Sequence, residues 1–181
     1  DLPFGCFQAS RRAGVENGLQ LLKKTDASAI KLEGANRLTL KVIRALVDAG
    51  VPVMGHIGLE PQSYLTMGGF RVQRETDTLL EKARALEEAG CFALVLELIE
   101  SQIAAAITQA IAIPTIGIGS GGATSGQVLV SNDILGLDPD FKPRHTARYA
   151  NLAGTIENAA NTFAQEVAEG RFPTPEQSFS S

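Results

Sequence analysis

The chain has 181 residues, 44% of them hydrophobic and 20% charged, which is enough apolar material for one sizeable core. Its formal net charge is -4 and its lysines and arginines form no cluster, which argues against a nucleic-acid or anionic-membrane surface. No apolar run approaches the length of a membrane span, and no signal-peptide pattern opens the chain. Cys6 and Cys91 lie far apart and belong to no CxxC or Cys/His metal spacing, so they read as reduced, small apolar residues. The expectation is one soluble intracellular domain over residues 1–181 whose partners are small molecules or other subunits.

The chain opens on DLPFG, which reads as the last residues of a strand turned into a loop by Pro3 and Gly5. Residues 15–24, VENGLQLLKK, place Val15, Leu19 and Leu22 at helical spacing, and ASAIKLEG (27–34) predicts a short strand ending in glycine. The unit then repeats. RLTLKVIRALVDAG (37–50) predicts a helix with Gly50 as its C-cap, and VPVMGHIG follows as a strand. A third helix over 77–90 closes on Gly90 ahead of the strand CFALVLELI (91–99), and a fourth over 101–113 leads into PTIGIGSGG. QVLVSNDILG (127–136) predicts the fifth strand, and the closing FPTPEQSFSS (172–181) reads as an extended tail.

Nearly continuous apolar strands joined by helices imply a parallel sheet covered on both faces. Two α/β architectures answer to that description, an open doubly wound sheet and a (β/α)8 TIM-type barrel. Ionisable residues recur at the C-terminal ends of successive strands: Asp1, Lys31 with Glu33, His56 and Glu97. In a barrel these ends converge on one mouth, where such proteins keep their chemistry, and this favours the barrel. About five full strands and a stub are present, so the barrel is incomplete in this chain.

Lys31 and Glu33 are two apart on a strand and share a face. They form either an ion pair or a cation site for an anionic substrate, because neither charge is tolerated among Ala, Ile and Leu without a partner. Glu97 stands among leucines, where desolvation favours the neutral acid; this suits a general base working near neutrality, or else a glutamate paired to a buried cation. Asp1 is a metal ligand or a turn residue. His56, where an apolar strand opens into a loop, is a hydrogen-bonded core group or part of a site. GIGSGGATSGQ (117–127) has neither the GxxxxGK[ST] spacing nor a GxGxxG helix, so it reads as a tight loop at the mouth and not as a phosphate cradle.

Seven stretches in order, DLPFG (1–5), IKLEG (30–34), VMGHIGLEPQS (53–63), GGFRVQ (68–73), LVLE (94–97), IPTIGIGSG (113–121) and GQVLVSND (126–133), together closely resemble the ketopantoate hydroxymethyltransferase family. The resemblance implies a (β/α)8 barrel of the phosphoenolpyruvate/pyruvate superfamily kind, usually a homo-oligomer. It implies Mg²⁺-dependent transfer of a hydroxymethyl group from 5,10-methylenetetrahydrofolate to 3-methyl-2-oxobutanoate, a step toward pantothenate. By motif it assigns Asp1 and Glu33 to magnesium, Asp1, Lys31 and His56 to the ketoacid, and Glu97 to proton abstraction.

The sequence departs from that family in places. The preceding Gly-Asp-Ser motif, with a further magnesium ligand and a substrate-binding serine, has no counterpart. Glu60 stands where the family has Thr, Ala35 where it has Gly, and Leu98-Ile99-Glu100 where it has Cys-Val-Pro. Two other functions stay open: a Mg²⁺-dependent ketoacid lyase on a related barrel, though the KKCGH-like loop of such lyases is absent, and an inactive partial barrel needing a complementary chain. The expected location is cytoplasmic, or mitochondrial in a plant or fungus.

Overall fold

The structure is a computed structural model that describes residues 1–69 and 71–179. The chain falls into two compact units, Asp1–Val128 and Leu129–Ser181. The first holds every candidate site residue and is an α/β unit.

Five parallel strands form its sheet: β1 (Ile30–Glu33), β2 (Val53–Gly58), β3 (Ala93–Glu97), β4 (Thr115–Ile118) and β5 (Gly126–Gln127). Their spatial order is their chain order, β1-β2-β3-β4-β5. A doubly wound sheet reverses its strand order at a switch point. No reversal occurs here. Leu2 N–H donates to Lys31 O at 3.1 Å, so the opening DLP segment lies beside β1 as the expected stub does.

The helices follow from spacing and caps. α1 (Arg11–Lys24) starts four residues before the expected segment because Ser10 caps it, its hydroxyl accepting from Ala13 N–H. α2 (Arg37–Asp48) is capped by Asn36, whose side-chain oxygen accepts from the N–H groups of Leu38 and Thr39. A single turn, α3 (Tyr64–Met67), follows the loop after β2, and then come α4 (Thr76–Glu88) and α5 (Ser101–Ala110). Phe70 of the GGFRVQ motif lies outside the described residues.

In-register neighbours of a parallel sheet share a face, so the pairings sort the side chains. Ile30 lies beside Val53, Leu32 beside Gly55, and Leu94 beside Thr115. That face is sealed: Ile30, Leu32, Val53, Ile57, Leu94 and Leu96 are all buried. Gly55 lies under Leu86 of α4, and Thr108 of α5 shares a 2.8 Å hydrogen bond with Thr115. Each such buried aliphatic side chain is worth about 1.5–3 kcal/mol. The opposite face is covered in part: His56, Ala93 and Val95 are buried, while Lys31, Glu33, Met54, Glu97, Ile116 and Ile118 are half-buried, and this more open face carries the ionisable groups.

The fifth strand is also corrected. Only Gly126 and Gln127 pair with β4, while Ser131–Leu135 form a short helix, α6, closed by Gly136 in the left-handed conformation. Val128 N–H still reaches Gly117 O at 3.0 Å, but the run then leaves the sheet, and Val128 and Val130 are exposed. The second unit also contains a helix that the sequence reading did not place, α7 (Leu152–Ala168), with Asn151 as its N-cap. Part of the expected extended tail is ordered against it. Phe172 packs edge-on against Phe163 with ring centroids 5.1 Å apart, and Pro175–Gln177 form a 3-10 turn. Ser180 and Ser181 of that segment lie outside the described residues.

The thiols are free, Cys6 partly exposed and Cys91 buried. Burial pushes the Cys91 thiol up to about 12, so at pH 8 it holds almost no thiolate. Ellman's reagent at pH 8 is therefore expected to titrate Cys6 in the folded protein and Cys91 only after urea unfolding. Two fast thiols before unfolding would contradict this packing.

Candidate active site at the strand ends

The sealed and open faces alternate along each strand, and this alternation brings together residues far apart in sequence. Lys31 lies beside Met54, Glu33 beside His56, and Gly58 beside Glu97, all on the open face. The side chains then form a line. Asp1 Oδ1 lies 2.7 Å from Lys31 Nζ, Lys31 Nζ lies 3.0 Å from His56 Nδ1, and His56 Nε2 lies 3.2 Å from Glu97 Oε2. The structure thus brings Asp1, Lys31, His56 and Glu97 into one chain of contacts, with Glu33 on the same face.

Proton positions on His56 follow from its partners. Nε2 faces two acceptors, Leu59 O at 2.9 Å and the Glu97 carboxylate, so it carries the hydrogen. Nδ1 faces the Lys31 ammonium and therefore accepts. The ring is neutral in this arrangement, because a second ring proton would point at a cation. His56 is 2% exposed, so it meets the condition that a buried polar ring be fully hydrogen-bonded.

Lys31 does not pair with Glu33 as the simplest sequence reading had it. Its ion-pair partner is Asp1. The reason is distance: residues two apart on a strand are about 6.6 Å apart along it, whereas adjacent strands lie about 4.8 Å apart. Desolvation lowers the Lys31 ammonium from the ordinary lysine value, and the charges of Glu33 and Glu97 partly oppose that shift. Two of its three N–H donors are used on Asp1 and His56. The third is available to an anion at the strand ends.

Glu33 is held by a residue that the sequence reading did not select. Gln62 N–H donates to Glu33 Oε2 at 2.9 Å, the Gln62 side-chain amide donates to Leu2 O at 2.8 Å, and Gln8 donates to Gln62 Oε1 at 2.9 Å. Gln62 ties the loop after β2 to the segment carrying Asp1. Glu60, also in that loop, is paired with Lys82 at 3.3 Å. No charge pattern marks Gln62, since it acts through an amide and its own backbone.

The turn after Glu97 is unusual. Leu98 has φ 47, and it is the one non-glycine residue with positive φ among the described residues. A leucine there costs about 1–3 kcal/mol and persists only where its surroundings fix it. Leu98 N–H donates to Ile118 O at 2.9 Å, and Leu98 O accepts from Gln73 N–H at 2.7 Å. Ser120 completes the turn: its hydroxyl accepts from Ile99 N–H at 3.0 Å and donates to Leu96 O at 2.7 Å. Gly58, beside Glu97, has φ 104, and a Cβ there would lie 2.1 Å from Glu97 O.

No group of three or more His, Cys, Asp or Glu side chains with metal-binding geometry occurs among the described residues. Asp1 and Glu33 nevertheless supply hard oxygen donors of the kind Mg²⁺ takes, and Mg²⁺ commonly uses one or two carboxylates and completes its shell with water and substrate oxygens. Lys31 engages one oxygen of Asp1 and Gln62 N–H one oxygen of Glu33, so each carboxylate keeps an oxygen clear of these contacts. The donor set fits such an ion.

A cation, two carboxylates and a histidine in contact with a third carboxylate gather at the C-terminal ends of parallel strands, the end where proteins of this α/β architecture keep their sites. The family model described as ketopantoate hydroxymethyltransferase matches residues 1–175. The chain is 46% identical to the 3-methyl-2-oxobutanoate hydroxymethyltransferase of Heliobacterium modesticaldum, over 99% of this chain and 66% of that protein. Relatives of the same name from Thermotoga sp. (strain RQ2) and Dehalococcoides mccartyi are each 49% identical, over 99% of this chain and 67% and 64% of theirs. The chain spans about two thirds of the length of these relatives. It belongs to the ketopantoate hydroxymethyltransferase family.

Proposed function

We propose that the chain is a hydroxymethyltransferase barrel domain that moves a one-carbon unit from 5,10-methylenetetrahydrofolate to 3-methyl-2-oxobutanoate, giving 2-dehydropantoate. The observation that carries this reading is the line Asp1–Lys31–His56–Glu97 on the open face of the sheet. The sequential strand order supports a (β/α)8 barrel, whose mouth lies at the ends of these strands.

The ketoacid carboxylate pairs with the third donor of Lys31, which sets the molecule's orientation. Glu97, half-buried at the end of β3, takes the proton from the carbon beside the ketone. His56 Nε2, whose hydrogen goes to Leu59 O at 2.9 Å, lies 3.2 Å from Glu97 Oε2 and keeps the carboxylate at the strand end. The enolate carbon then bonds to the one-carbon unit, tetrahydrofolate leaves, and water supplies the hydroxyl oxygen. Asp1 and Glu33 would hold Mg²⁺, which when bound supplies Lewis-acid polarisation of the ketone. His56, next to Lys31 in the line, lies on the ketoacid side of the site and positions that cation. The named relatives are bacterial and give no support to the mitochondrial alternative; the proposed location is the cytoplasm, and the proposed assembly is a homo-oligomer. No helix among the described residues is long and apolar enough to cross a membrane.

The test is proton NMR of 3-methyl-2-oxobutanoate in D₂O with the protein, first with Mg²⁺ and then with EDTA. Loss of the C3–H signal that stops on chelation is the expected outcome, and it needs no folate. No exchange, with an intact mass matching 181 residues, would leave the inactive partial barrel as the better account.

A further inference from the structure

The strained turn after Glu97 needs a cause. A leucine does not hold positive φ without help, and its neighbours show where the help comes from. Ser120 is 1% exposed and sits between two left-handed glycines, Gly119 (φ 66) and Gly121 (φ 78), which turn its side chain under the end of β3. Its hydroxyl proton goes to Leu96 O at 2.7 Å, with Ile118 O farther off at 3.4 Å, and its oxygen accepts from Ile99 N–H at 3.0 Å. One hydroxyl therefore spans the residues on both sides of the Glu97–Leu98 pair. With Leu59 N–H donating to Glu97 O at 2.8 Å from the β2 side, the peptide carrying Glu97 is gripped from two strands.

We infer that Ser120 is a positioning residue for Glu97: by bridging Leu96 and Ile99 it holds Leu98 in the left-handed conformation and keeps the Glu97 carboxylate against His56. The role of Glu97 as base rests on the function proposed above; the brace itself does not. The glycine-rich loop thus acts beneath the site, as the support of a catalytic strand end, and binds no phosphate in this role. An alanine at 120 leaves Ile99 N–H without its acceptor and frees Leu98 to return to an ordinary conformation, which swings the peptide after Glu97.

The test uses the 181-residue chain with Ser120→Ala, alone and combined with Leu98→Gly, each checked for folding by circular dichroism. Three quantities are read: hydrogen exchange at the Ile99 amide, the His56 Nε2–H proton resonance, and kcat and KM for deuterium exchange into 3-methyl-2-oxobutanoate. For Ser120→Ala the expectation is Ile99 exchange at least about tenfold faster, a shifted His56 resonance, and kcat about tenfold lower with KM within about twofold. Adding Leu98→Gly is expected to restore at least a third of the lost rate, because glycine adopts positive φ without the brace. Should Ser120→Ala fail to fold, Ser120→Cys, whose thiol makes weaker hydrogen bonds, is read in the same way with intermediate values expected. An unmoved His56 resonance, or no recovery on adding Leu98→Gly, would overturn the inference and leave Ser120 a packing residue. If the wild type exchanges no deuterium, the proposed function fails, and the His56 resonance still decides the brace.

Discussion

Glu97→Gln is expected to slow deuterium exchange at C3 of 3-methyl-2-oxobutanoate by about 10²–10⁴-fold, the range that a positioned general base contributes. The substitution isolates basicity from shape. A glutamine at 97 keeps the size of the side chain, and the ring stays in place because its hydrogen bonds run to Leu59 O and Lys31 and not to residue 97. The proposed ketoacid contacts come from Asp1, Lys31 and His56, which stand on the segment before β1, on β1 and on β2 and not on the strand that carries Glu97. KM for the ketoacid is therefore expected to stay within about threefold while kcat falls. Steady-state exchange followed by NMR reads both. Equal exchange in wild type and Glu97→Gln would move the base elsewhere, with His56 the next group in the line.

The second large effect is on stability. Gly58→Ala is expected to destabilise the fold by about 3 kcal/mol or more, read as a lower urea midpoint at unchanged slope. Two costs add at this position. A side chain at φ 104 is strained whatever surrounds it, and the new Cβ would lie 2.1 Å from Glu97 O and 2.7 Å from the Ile99 side chain. The nearer atom is backbone in the middle of the sheet and cannot rotate away. Relief requires β2 and β3 to separate where Leu59 N–H reaches Glu97 O. Gly50→Ala is the control. It has φ 83 with no atom within 4 Å of the added carbon, so it carries the strain alone, about 1 kcal/mol. Equal midpoints for the two variants would mean that the contact at Gly58 relaxes freely.

The repeating units were legible because their apolar periods agree with their punctuation. For α2 and α4 the helical spacing ends at Gly50 and Gly90, and a strand apolar but for one ionisable residue follows each. The same logic misled at 127–136. Val128, Leu129 and Val130 look like a strand, but pairing ends at Gln127, and Ser131-Asn132-Asp133 begin a helix whose stop is Gly136. α7 was missed because its large apolar residues, among them Leu152, Ile156, Phe163 and Val167, are diluted by alanines and asparagines that weaken the stripe. The ionisable members of the site showed themselves as polar interruptions of apolar strands. Their pairing did not, because whether Lys31 meets Glu33 or Asp1 depends on the register of a neighbouring segment. Gln62 and Ser120 were invisible for a further reason: both work by satisfying backbone or amide groups, and nothing in their identity separates them from loop residues.

The unreversed strand order also has a consequence for how the chain acquires its site. Each strand pairs with the next strand along the sequence, Ile30 with Val53 and Leu94 with Thr115, so each crossover delivers its strand to the edge left by the one before. Each pairing therefore contributes one part of the site: β2 on β1 sets His56 against Lys31, β3 on β2 sets Glu97 beside that histidine, and the loop after β4 places Ser120 beneath the end of β3.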